Sequence, residues 1–307
     1  MKDYSIKIVS NQKPLLSVLI PTYNHVIGIK RILHFFYNFP NDNIEILIYD
    51  NSPNKDTSHF MDDWNNNHPY IDITYKLNRP ATSPADNWNN LITNAKGEYC
   101  LLLHNGEFPN KLDFFSRLLE ELDEFKPDIA LMNCILLDMQ KEEAYLHVPI
   151  WVKSLVIKFY PSFLFQRNVI GPTACLVIKK NLYANFDQYL QWLLDVDSYY
   201  RSLLKSKNIV FFKGLEIISI MDKSDTLTAQ VRPNLNEIED SEKRYLLTKY
   251  NKIFWFNSNL TILKIIILAL EKITWKLLQF IYRSLQFRAK RVRGKEINLF
   301  LEKNDNN

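Results

Sequence analysis

The sequence predicts an α/β fold, with a mostly parallel central sheet flanked by helices and a helical C-terminal extension. Two near-continuous apolar runs, at residues 16–20 and 44–49, have the composition of parallel strands covered on both faces. Between these runs, apolar residues recur at helical spacing, at Ile29, Ile32, Leu33 and Phe36. From residue 258 to about residue 295, a broad apolar face predicts one long helix or two.

The remaining elements follow from the same patterns. The first strand is predicted to end before Pro21, because a proline cannot donate to a sheet ladder, and a polar turn follows it. Further strands are predicted at 71–76, 99–103, 129–137, 209–212 and 215–220, and residues 174–178 form an apolar segment. Helices are predicted near 59–64 and at 83–94, 111–125 and 190–205, whereas 141–158 is predicted to be irregular. Residues 222–241 are polar, lack glycine and are typical of a linker or lid.

Composition narrows the class of protein. The chain has 307 residues, a formal net charge of +4 and only six glycines, and neither of the glycine-rich phosphate-binding motifs occurs. Three widely spaced cysteines lie in apolar runs, which indicates reduced core residues of a cytoplasmic protein. The N-terminus lacks the apolar core of a signal peptide, and no apolar run is long enough to span a bilayer.

The C-terminal segment carries the excess positive charge. Residues 283–295 include six basic residues and no acidic one, directly after the apolar face of 258–281. An apolar face beside a basic flank is typical of a helix on an anionic membrane surface. The alternative is that this segment packs on the catalytic domain or on a second subunit. The second case would make the protein a homo-oligomer. Nucleic acid is disfavoured, because no stacking motif accompanies the charges.

Two polar clusters follow the first two predicted strands. Residues 21–24 end the first strand, and residues 50–52 end the second. Ligands of open α/β sheets bind just outside the carboxyl ends of the strands. Both clusters are therefore predicted to line one crevice.

These clusters also carry a resemblance. SVLIPTYN at 17–24 and EILIYDNS at 45–52 resemble the opening of family 2 glycosyltransferases, inverting sugar-nucleotide enzymes with the GT-A fold and, here, of the bacterial surface-polysaccharide type. The resemblance extends from about residue 15 to about residue 213. It implies that the nucleotide is bound by Pro21, Thr22, Tyr23, Asn24, Asp50 and Asn51. The alternative is that the first cluster is only a turn and that Asp50 is only a helix cap.

The turn His104-Asn105-Gly106-Glu107 occupies the place of the family's DxD element, which holds a divalent cation against the diphosphate. The resemblance implies that Asn105 and Glu107 bind Mn2+ or Mg2+, since hard cations prefer oxygen ligands. The aspartates of the element are replaced, so this cation site has less negative charge than usual. A plain surface turn is the alternative.

The family often has an arginine that contacts the diphosphate, where this chain has Ala85-Asp86-Asn87. Arg79, on the preceding loop, is predicted to replace it, because a guanidinium can donate two parallel hydrogen bonds to a phosphate. An exposed arginine without such a role is equally compatible with the sequence.

The string WLLDVDSYYRSLL resembles the family's acidic element, in which an aspartate precedes an arginine by six positions. The resemblance implies that Asp195 is the general base, with Asp197 as the fallback. It also implies that Gly171, Pro172, Thr173 and Arg201 contact the acceptor. Solvated helix acids and a structural turn are the alternatives.

The predicted domains are a GT-A-like nucleotide-sugar-binding catalytic domain at 1–225, a linker or lid at 226–257 and an amphipathic, basic helical extension at 258–307. The predicted function is that of an inverting glycosyltransferase of hexosyl or deoxyhexosyl type. It moves a sugar from a nucleotide sugar to a glycan acceptor, lipid-linked, in capsule or lipopolysaccharide synthesis. The predicted location is cytoplasmic, peripheral on the inner face of the plasma membrane through residues 258–295. A catalytically weak GT-A-like binding or assembly subunit is the alternative, and a nucleotidyltransferase is disfavoured because it usually carries a glycine-rich phosphate loop.

Overall fold

The computed structural model describes residues 13–37, 43–68, 71, 73–141, 143–221 and 232–250. Within these residues, nine strands form one sheet. The strands are β1 (Leu16–Thr22), β2 (Ile44–Asp50), β3 (Ile73–Leu77), β4 (Tyr99–Leu102), β5 (Glu107–Pro109), β6 (Ile129–Asp138), β7 (Glu143–Leu146), β8 (Leu176–Lys179) and β9 (Ile209–Ile220). Their order across the sheet is β3-β2-β1-β4-β8-β6-β9-β5, with β7 paired to the free part of β6. The predicted α/β fold is confirmed.

The first half of the sheet is parallel. β1 lies between β2 and β4, and β3 pairs with β2, all in parallel register. All seven residues of β1 and of β2 are buried, as expected for strands covered on both faces. The carboxyl ends of these strands therefore meet at one edge of the sheet.

Pro21 does not end β1, so that prediction was wrong. The strand continues to Thr22, and Pro21 pairs with Tyr49. The carbonyl of Leu19 accepts a hydrogen bond from the Leu103 amide, on the β4 side of β1. Since backbone groups two residues apart in a strand point to the same side, the backbone nitrogen of Pro21 also points toward the β4 side of β1. The pairing with β4 has already ended there, at Leu19. The missing N–H of the proline therefore costs the sheet no hydrogen bond.

The second half of the sheet is mixed. β8 is antiparallel to both β4 and β6, β6 is parallel to β9, and β5 is antiparallel to β9. β9 is one strand rather than the two that were predicted. Its pairing with β6 passes from Met132–Phe212 directly to Asn133–Glu216, so residues 213–215 form a bulge within a continuous strand. Residue 107, predicted to lie in a polar turn, begins the short strand β5.

Helices cover both faces of the sheet. They are α1 (Val26–His34), α2 (Asp56–Asn67), α3 (Pro84–Asn94), α4 (Phe114–Phe125), α5 (Ile150–Phe159), α6 (Leu194–Lys205) and α7 (Leu235–Lys249). Apolar residues of α1, α2 and α4 pack on one face, and those of α3, α5, α6 and α7 pack on the other. Burial of these two apolar layers supplies the main driving force for folding.

The segment 141–158 is more regular than predicted, since it contains β7 and most of α5. α5 is apolar on its inner side, through Val152 and Ile157, and on its outer side, where Trp151 and Leu155 are exposed. Such a helix has no polar stripe from which its period could be read. Lys153, on the inner side, is fully buried, and its ammonium donates to two backbone carbonyls at 2.7 and 3.0 Å.

The predicted linker or lid at 226–257 contains α7, a helix packed through the fully buried Leu246. The predicted helical extension at 258–307 lies outside the described residues. Where the structure does describe the chain, it has no helix long and apolar enough to cross a membrane. The three cysteines are buried and free, as predicted.

A buried carboxylate joins the amino ends of the parallel strands. Glu45 of β2 accepts hydrogen bonds from the Ser17 hydroxyl of β1 at 2.5 Å, from the Gly97 amide at 3.0 Å and from the Lys96 amide. Glycine is needed at position 97, because an added Cβ would lie 2.5 Å from the Ser17 hydroxyl oxygen. This Glu45 cluster lies at the edge of the sheet opposite the carboxyl ends.

Candidate functional site

The two polar clusters meet at the carboxyl edge, as predicted. Pro21 and Thr22 end β1, Tyr23 and Asn24 follow it, and the ring of Tyr23 is 44% exposed. The Asn51 amide donates to the Thr22 carbonyl at 3.0 Å. The Asn24 amide donates to the hydroxyl of Ser52 at 2.7 Å, with Asn24 in the left-handed region at a φ of 49°. The two chain segments therefore form one wall.

Asp50 is the anchor of this wall. Its side chain is fully buried, and its carboxylate accepts hydrogen bonds from the Ser52 amide, the Ser52 hydroxyl and the Tyr75 hydroxyl. These contacts fix the turn after β2, so that Asn51, rather than Asp50, has a side chain reaching the surface. Asp50 is thus an internal hydrogen-bond acceptor, and its contact with a nucleotide stays a prediction.

A chain of amides supports Asn51. The side chain of Asn78 donates to the side-chain oxygens of Asn51 at 2.9 Å and of Asn87 at 3.1 Å. Asn87 in turn donates to the Tyr49 carbonyl at 3.1 Å, on β2. Asn78 and Asn87 are both buried, so the network holds the position of Asn51 rather than contacting a ligand. Sequence reasoning missed Asn78, because its role depends on two segments distant in the chain.

Arg79 lies beside this wall. It is exposed, and its guanidinium donates to the carbonyls of Asn78, Pro53 and Asn54 at 2.9 to 3.3 Å. The side chain is therefore held against the loop after β2, and a phosphate would compete with these carbonyls for its donors. Its contact with a diphosphate stays a prediction.

The turn 104–107 closes the crevice between β4 and β5. The side-chain oxygen of Asn105 and Nε2 of His104 are buried and have no hydrogen-bond partner in the part of the chain that the structure describes. The His104 ring lies 4.6 Å from that of Trp88, and burial lowers the pKa of His104 to about 4, so the imidazole is neutral. Glu107 accepts a hydrogen bond from the His104 amide at 3.0 Å, and burial raises the pKa of its carboxyl to about 8.

α1 approaches this turn so closely that it requires a glycine. A Cβ added at Gly28 would lie 2.2 Å from the backbone oxygen of Asn105. The Gly28 amide donates to Nδ1 of His25, which caps α1. Sequence reasoning missed this contact, although a glycine inside a helix in a chain with few glycines was a usable signal.

These residues by themselves fit a divalent cation poorly. The side-chain oxygen of Asn105 is free to coordinate, but it is neutral, and the Glu107 carboxyl is buried, protonated at neutral pH and hydrogen-bonded within the protein. Among the described residues, no group of three or more His, Cys, Asp or Glu side chains could hold a metal ion. A hard cation prefers several oxygen ligands that offset its charge.

The loop Gly171-Pro172-Thr173 is built around Asn168, a residue that sequence reasoning missed. The side-chain oxygen of Asn168 accepts hydrogen bonds from the amides of Ile170 at 3.1 Å and of Gly171 at 2.9 Å. Gly171 has a φ of +103°, where a side chain would be strained. The Thr173 hydroxyl donates to the Leu102 carbonyl at 3.1 Å and so joins the loop to β4.

Asp195 faces this loop from the first turn of α6. One carboxylate oxygen accepts a hydrogen bond from the Asn168 side chain at 2.9 Å, and the other accepts one from the Val196 amide at 2.7 Å. Burial raises the pKa of Asp195 to about 7, against the effect of these hydrogen bonds and with a further contribution from the charge of Glu242. A carboxylate whose pKa lies near neutral pH is suited to accept a proton during a reaction.

Asp197 and Arg201 form a separate cluster on the same helix. Asp197 is fully buried, and its carboxylate binds Arg201, Lys249 and the Tyr250 hydroxyl. Arg201 also donates to the Asn185 carbonyl. This geometry favours Asp195 over Asp197 as a base, and the contact of Arg201 with an acceptor stays a prediction.

Comparison with known proteins identifies the family. A family model described as Glycosyl transferase family 2 matches residues 17–184, more than half of the chain, and this range includes the wall, the turn 104–107 and the loop 171–173. Asp195 lies beyond the matched range. No protein of curated function matches the chain.

Solved structures show the same fold. Residues 1–349 of TarS from S. aureus, in complex with UDP-GlcNAc, are 15% identical with a TM-score of 0.52, over 70% of this chain and 60% of the TarS chain. The chain thus spans 60% of the length of that TarS structure. The mannosyltransferase PcManGT from Pyrobaculum calidifontis, in complex with GDP-Man and Mn2+, is 14% identical with a TM-score of 0.53, over 94% of this chain and 88% of that chain. With the match to the family model, the chain belongs to glycosyl transferase family 2.

Proposed function

We propose that the protein is an inverting glycosyltransferase that moves a hexosyl or deoxyhexosyl group from a nucleotide sugar to a glycan acceptor. The observation that carries this proposal is the position of Asp195. Its carboxylate, with a pKa near 7, is hydrogen-bonded to Asn168, which also shapes the loop 171–173 at the carboxyl edge of the sheet. Family membership supports the reaction class, and this geometry supports Asp195 as a base beside the loop at which we propose that the acceptor lies.

In the proposed reaction, the nucleoside lies against the wall formed by residues 21–24 and 50–51, with the exposed ring of Tyr23 beside it. An acceptor hydroxyl lies at the loop 171–173, within reach of Asp195. Asp195 takes the hydroxyl proton while the oxygen attacks the anomeric carbon, and the bond from that carbon to the diphosphate oxygen breaks on the opposite face. The nucleoside diphosphate leaves with the bonding electrons, and the configuration at the anomeric carbon is inverted.

A divalent cation would stabilise the charge that develops on the leaving diphosphate. Asn105 and Glu107 are the residues we predicted to bind it, and Glu107 would first have to lose its proton. Because these two donors fit a cation poorly, no step of the proposed reaction depends on one. Arg79 is the alternative source of positive charge, provided that it exchanges its carbonyl partners for phosphate oxygens.

The acceptor and the location are further parts of the proposal. We propose a lipid-linked acceptor of capsule or lipopolysaccharide synthesis at the inner face of the plasma membrane, with residues 258–295 on the membrane surface. This part rests on the sequence of that segment, whose basic cluster follows an apolar face.

The test combines ligand binding with turnover. The full-length protein is screened by thermal shift with UDP-GlcNAc and GDP-mannose, each with Mn2+, Mg2+ or EDTA, because a ligand that binds the native state raises the melting temperature. Release of UDP or GDP is then measured for the wild type and for Asp195→Asn. We expect a shift with one donor and a loss of turnover of about 100-fold or more in the variant. An Asp195→Asn protein as active as the wild type would refute the role of Asp195.

A catalytically weak binding or assembly subunit is the second candidate. The observation that favours it is the turn 104–107, where the acidic DxD residues are replaced and the Glu107 carboxyl is engaged within the protein. Binding of a nucleotide sugar without release of nucleoside diphosphate, in the presence of either metal, would support this candidate over the enzyme.

A further inference from the structure

The helix that carries Asp195 has no cap of its own. α6 begins after Leu193, which has no side chain able to cap a helix, and none is observed to do so. The amides at the start of a helix need acceptors from elsewhere in the protein or from water. For the Leu193 amide, at the N-cap position, the acceptor comes from α7, in the segment whose sequence predicts a linker or lid, whereas the Val196 amide donates to Asp195 itself.

Glu242 of α7 binds the turn that leads into α6. Its two carboxylate oxygens accept hydrogen bonds from the amides of Gln191, Trp192 and Leu193, at 2.5 to 3.3 Å. Its side chain is 6% exposed, so these bonds are largely shielded from water. Hydrogen bonds from backbone amides to a charged carboxylate are among the stronger ones in proteins.

Further contacts hold α7 in this place. Leu246, one helical turn after Glu242, is fully buried, and Lys249 binds Asp197 at 3.0 Å and Asp187 at 2.6 Å. The ring of Tyr250 stacks on that of Phe165 at 5.5 Å. Glu242 is therefore part of a docked helix, rather than a side chain that meets the turn by chance.

We propose that Glu242 is a positioning residue: it fixes the turn 191–193 and thereby directs the carboxylate of Asp195 toward the loop 171–173. The inference rests on the proposed role of Asp195 as the general base. Asp195 lies two residues after Leu193, and its carboxylate accepts a 2.9 Å hydrogen bond from Asn168 and a 2.7 Å hydrogen bond from the Val196 amide of the same helix. If the first turn of α6 moved by about 1 Å, the hydrogen bond between Asn168 and Asp195 would be broken. Misplacement of a reacting group by this distance costs up to about 100-fold in rate.

Glu242 also acts on Asp195 through charge. Its carboxylate lies just before the positive end of α6, where it binds the Leu193 amide and offsets part of the helix dipole that favours ionised Asp195. The other titratable groups that face Asp195 are Glu107, Tyr183 and Tyr199, and burial raises the pKa of each of them. The charge of Glu242 therefore adds to the effect of burial, which is the main cause of the raised pKa of Asp195.

The test compares Glu242→Gln with Glu239→Gln in the full-length protein. Glu239 lies on the same helix and forms a partly exposed ion pair with Lys243, so it controls for removal of a charge from α7. Release of UDP from UDP-GlcNAc and of GDP from GDP-mannose is measured against pH, together with the dissociation constant of the donor. We expect kcat of Glu242→Gln to fall about 10- to 100-fold. The donor dissociation constant should stay within about twofold of that of Glu239→Gln, since the hydrogen bonds of Glu242 go to residues 191–193 and not to the nucleotide wall. The acid limb of the pH profile should move to lower pH.

Hydrogen exchange tests the positional part without turnover. Amides 191–193 should exchange at least tenfold faster in Glu242→Gln than in Glu239→Gln, and Glu242→Asp should restore part of the protection. Unchanged exchange would overturn the inference, as would a Glu242→Gln protein with the kcat and acid limb of the control. If Asp195→Asn is inactive in that case, the proposed function stands without the inference. If Asp195→Asn is fully active, the proposed function itself fails.

Discussion

Substitution of Asp195 by asparagine should change how the stability of the protein depends on pH. Burial raises the pKa of Asp195 from 3.8 to about 7 in the folded protein. Below about pH 4 the carboxyl is protonated in both the folded and the unfolded chain, and it has no effect on pH dependence. Between about pH 4 and pH 7 the unfolded chain ionises first, so the wild type loses stability as the pH rises. Asparagine cannot ionise and should not show this loss.

The size of the effect follows from the shift. About three pKa units correspond to at most about 4 kcal/mol, at 1.36 kcal/mol per unit. Because water reaches part of this half-buried carboxyl, we expect about 2 kcal/mol. Asparagine also places an amide group opposite the Asn168 side chain, which costs about 1 kcal/mol at every pH. The informative quantity is therefore the change with pH in the difference between the two free energies of unfolding.

Urea denaturation of both proteins at a series of pH values from about 4 to 8 measures this quantity. The free energy of unfolding of Asp195→Asn, minus that of the wild type, should rise by about 2 kcal/mol across the series. Asp128→Asn is the control of opposite sign, since hydrogen bonds from the Lys207 and Asn208 amides lower the pKa of Asp128. Its contribution to stability is present at neutral pH and is lost in acid. A difference for Asp195→Asn that stays constant to within about 0.5 kcal/mol would refute the raised pKa.

Three further substitutions test the packing of the site and the sheet. Gly28→Ala places a Cβ against the backbone oxygen of Asn105 and should lower the free energy of unfolding by about 1–3 kcal/mol. It should also weaken binding of the nucleotide sugar in a thermal-shift titration, and an unchanged affinity would mean that the contact between α1 and the turn 104–107 does not shape the donor site. Gly171→Ala, at a φ of +103°, should cost about 1–3 kcal/mol in urea denaturation, and a neutral result would mean that the loop 171–173 adopts another conformation. Glu45→Ala leaves the buried Ser17 hydroxyl without its acceptor and removes one acceptor of the Lys96 and Gly97 amides, so it should cost about 2 kcal/mol with little effect on donor affinity; a loss below about 1 kcal/mol would contradict the importance of the cluster.

The parallel half of the fold could be predicted from the sequence because its signals are local. A run such as residues 44–49 needs no partner to be recognised as a buried strand, and the polar residues after it could be assigned to one edge of the sheet from the topology alone. Pro21 was misjudged because the rule for proline in a strand depends on which neighbours the strand has at that residue. α5 was missed because its outward face is apolar, so that its sequence has no helical period.

The site could be predicted only in part, for a related reason. Residues 21–24, 50–51 and Asp195 follow from strand ends and from a family pattern, and the structure brings the first two groups into one wall. Asn168 and Glu242 act through hydrogen bonds to segments 27 and about 50 residues away in the chain. Such contacts have no periodicity and no motif, and only the folded chain shows them.

The Glu45 cluster has a practical consequence for engineering. It fastens the amino ends of β1, β2 and β4, a full strand length from the carboxyl edge at which we place donor and acceptor. Effects of substitutions at sites that share no partners usually add. Directed evolution could therefore accumulate stabilising changes around the amino edge first and then redesign donor choice at the carboxyl edge, with each library screened separately and the best variants combined without further optimisation.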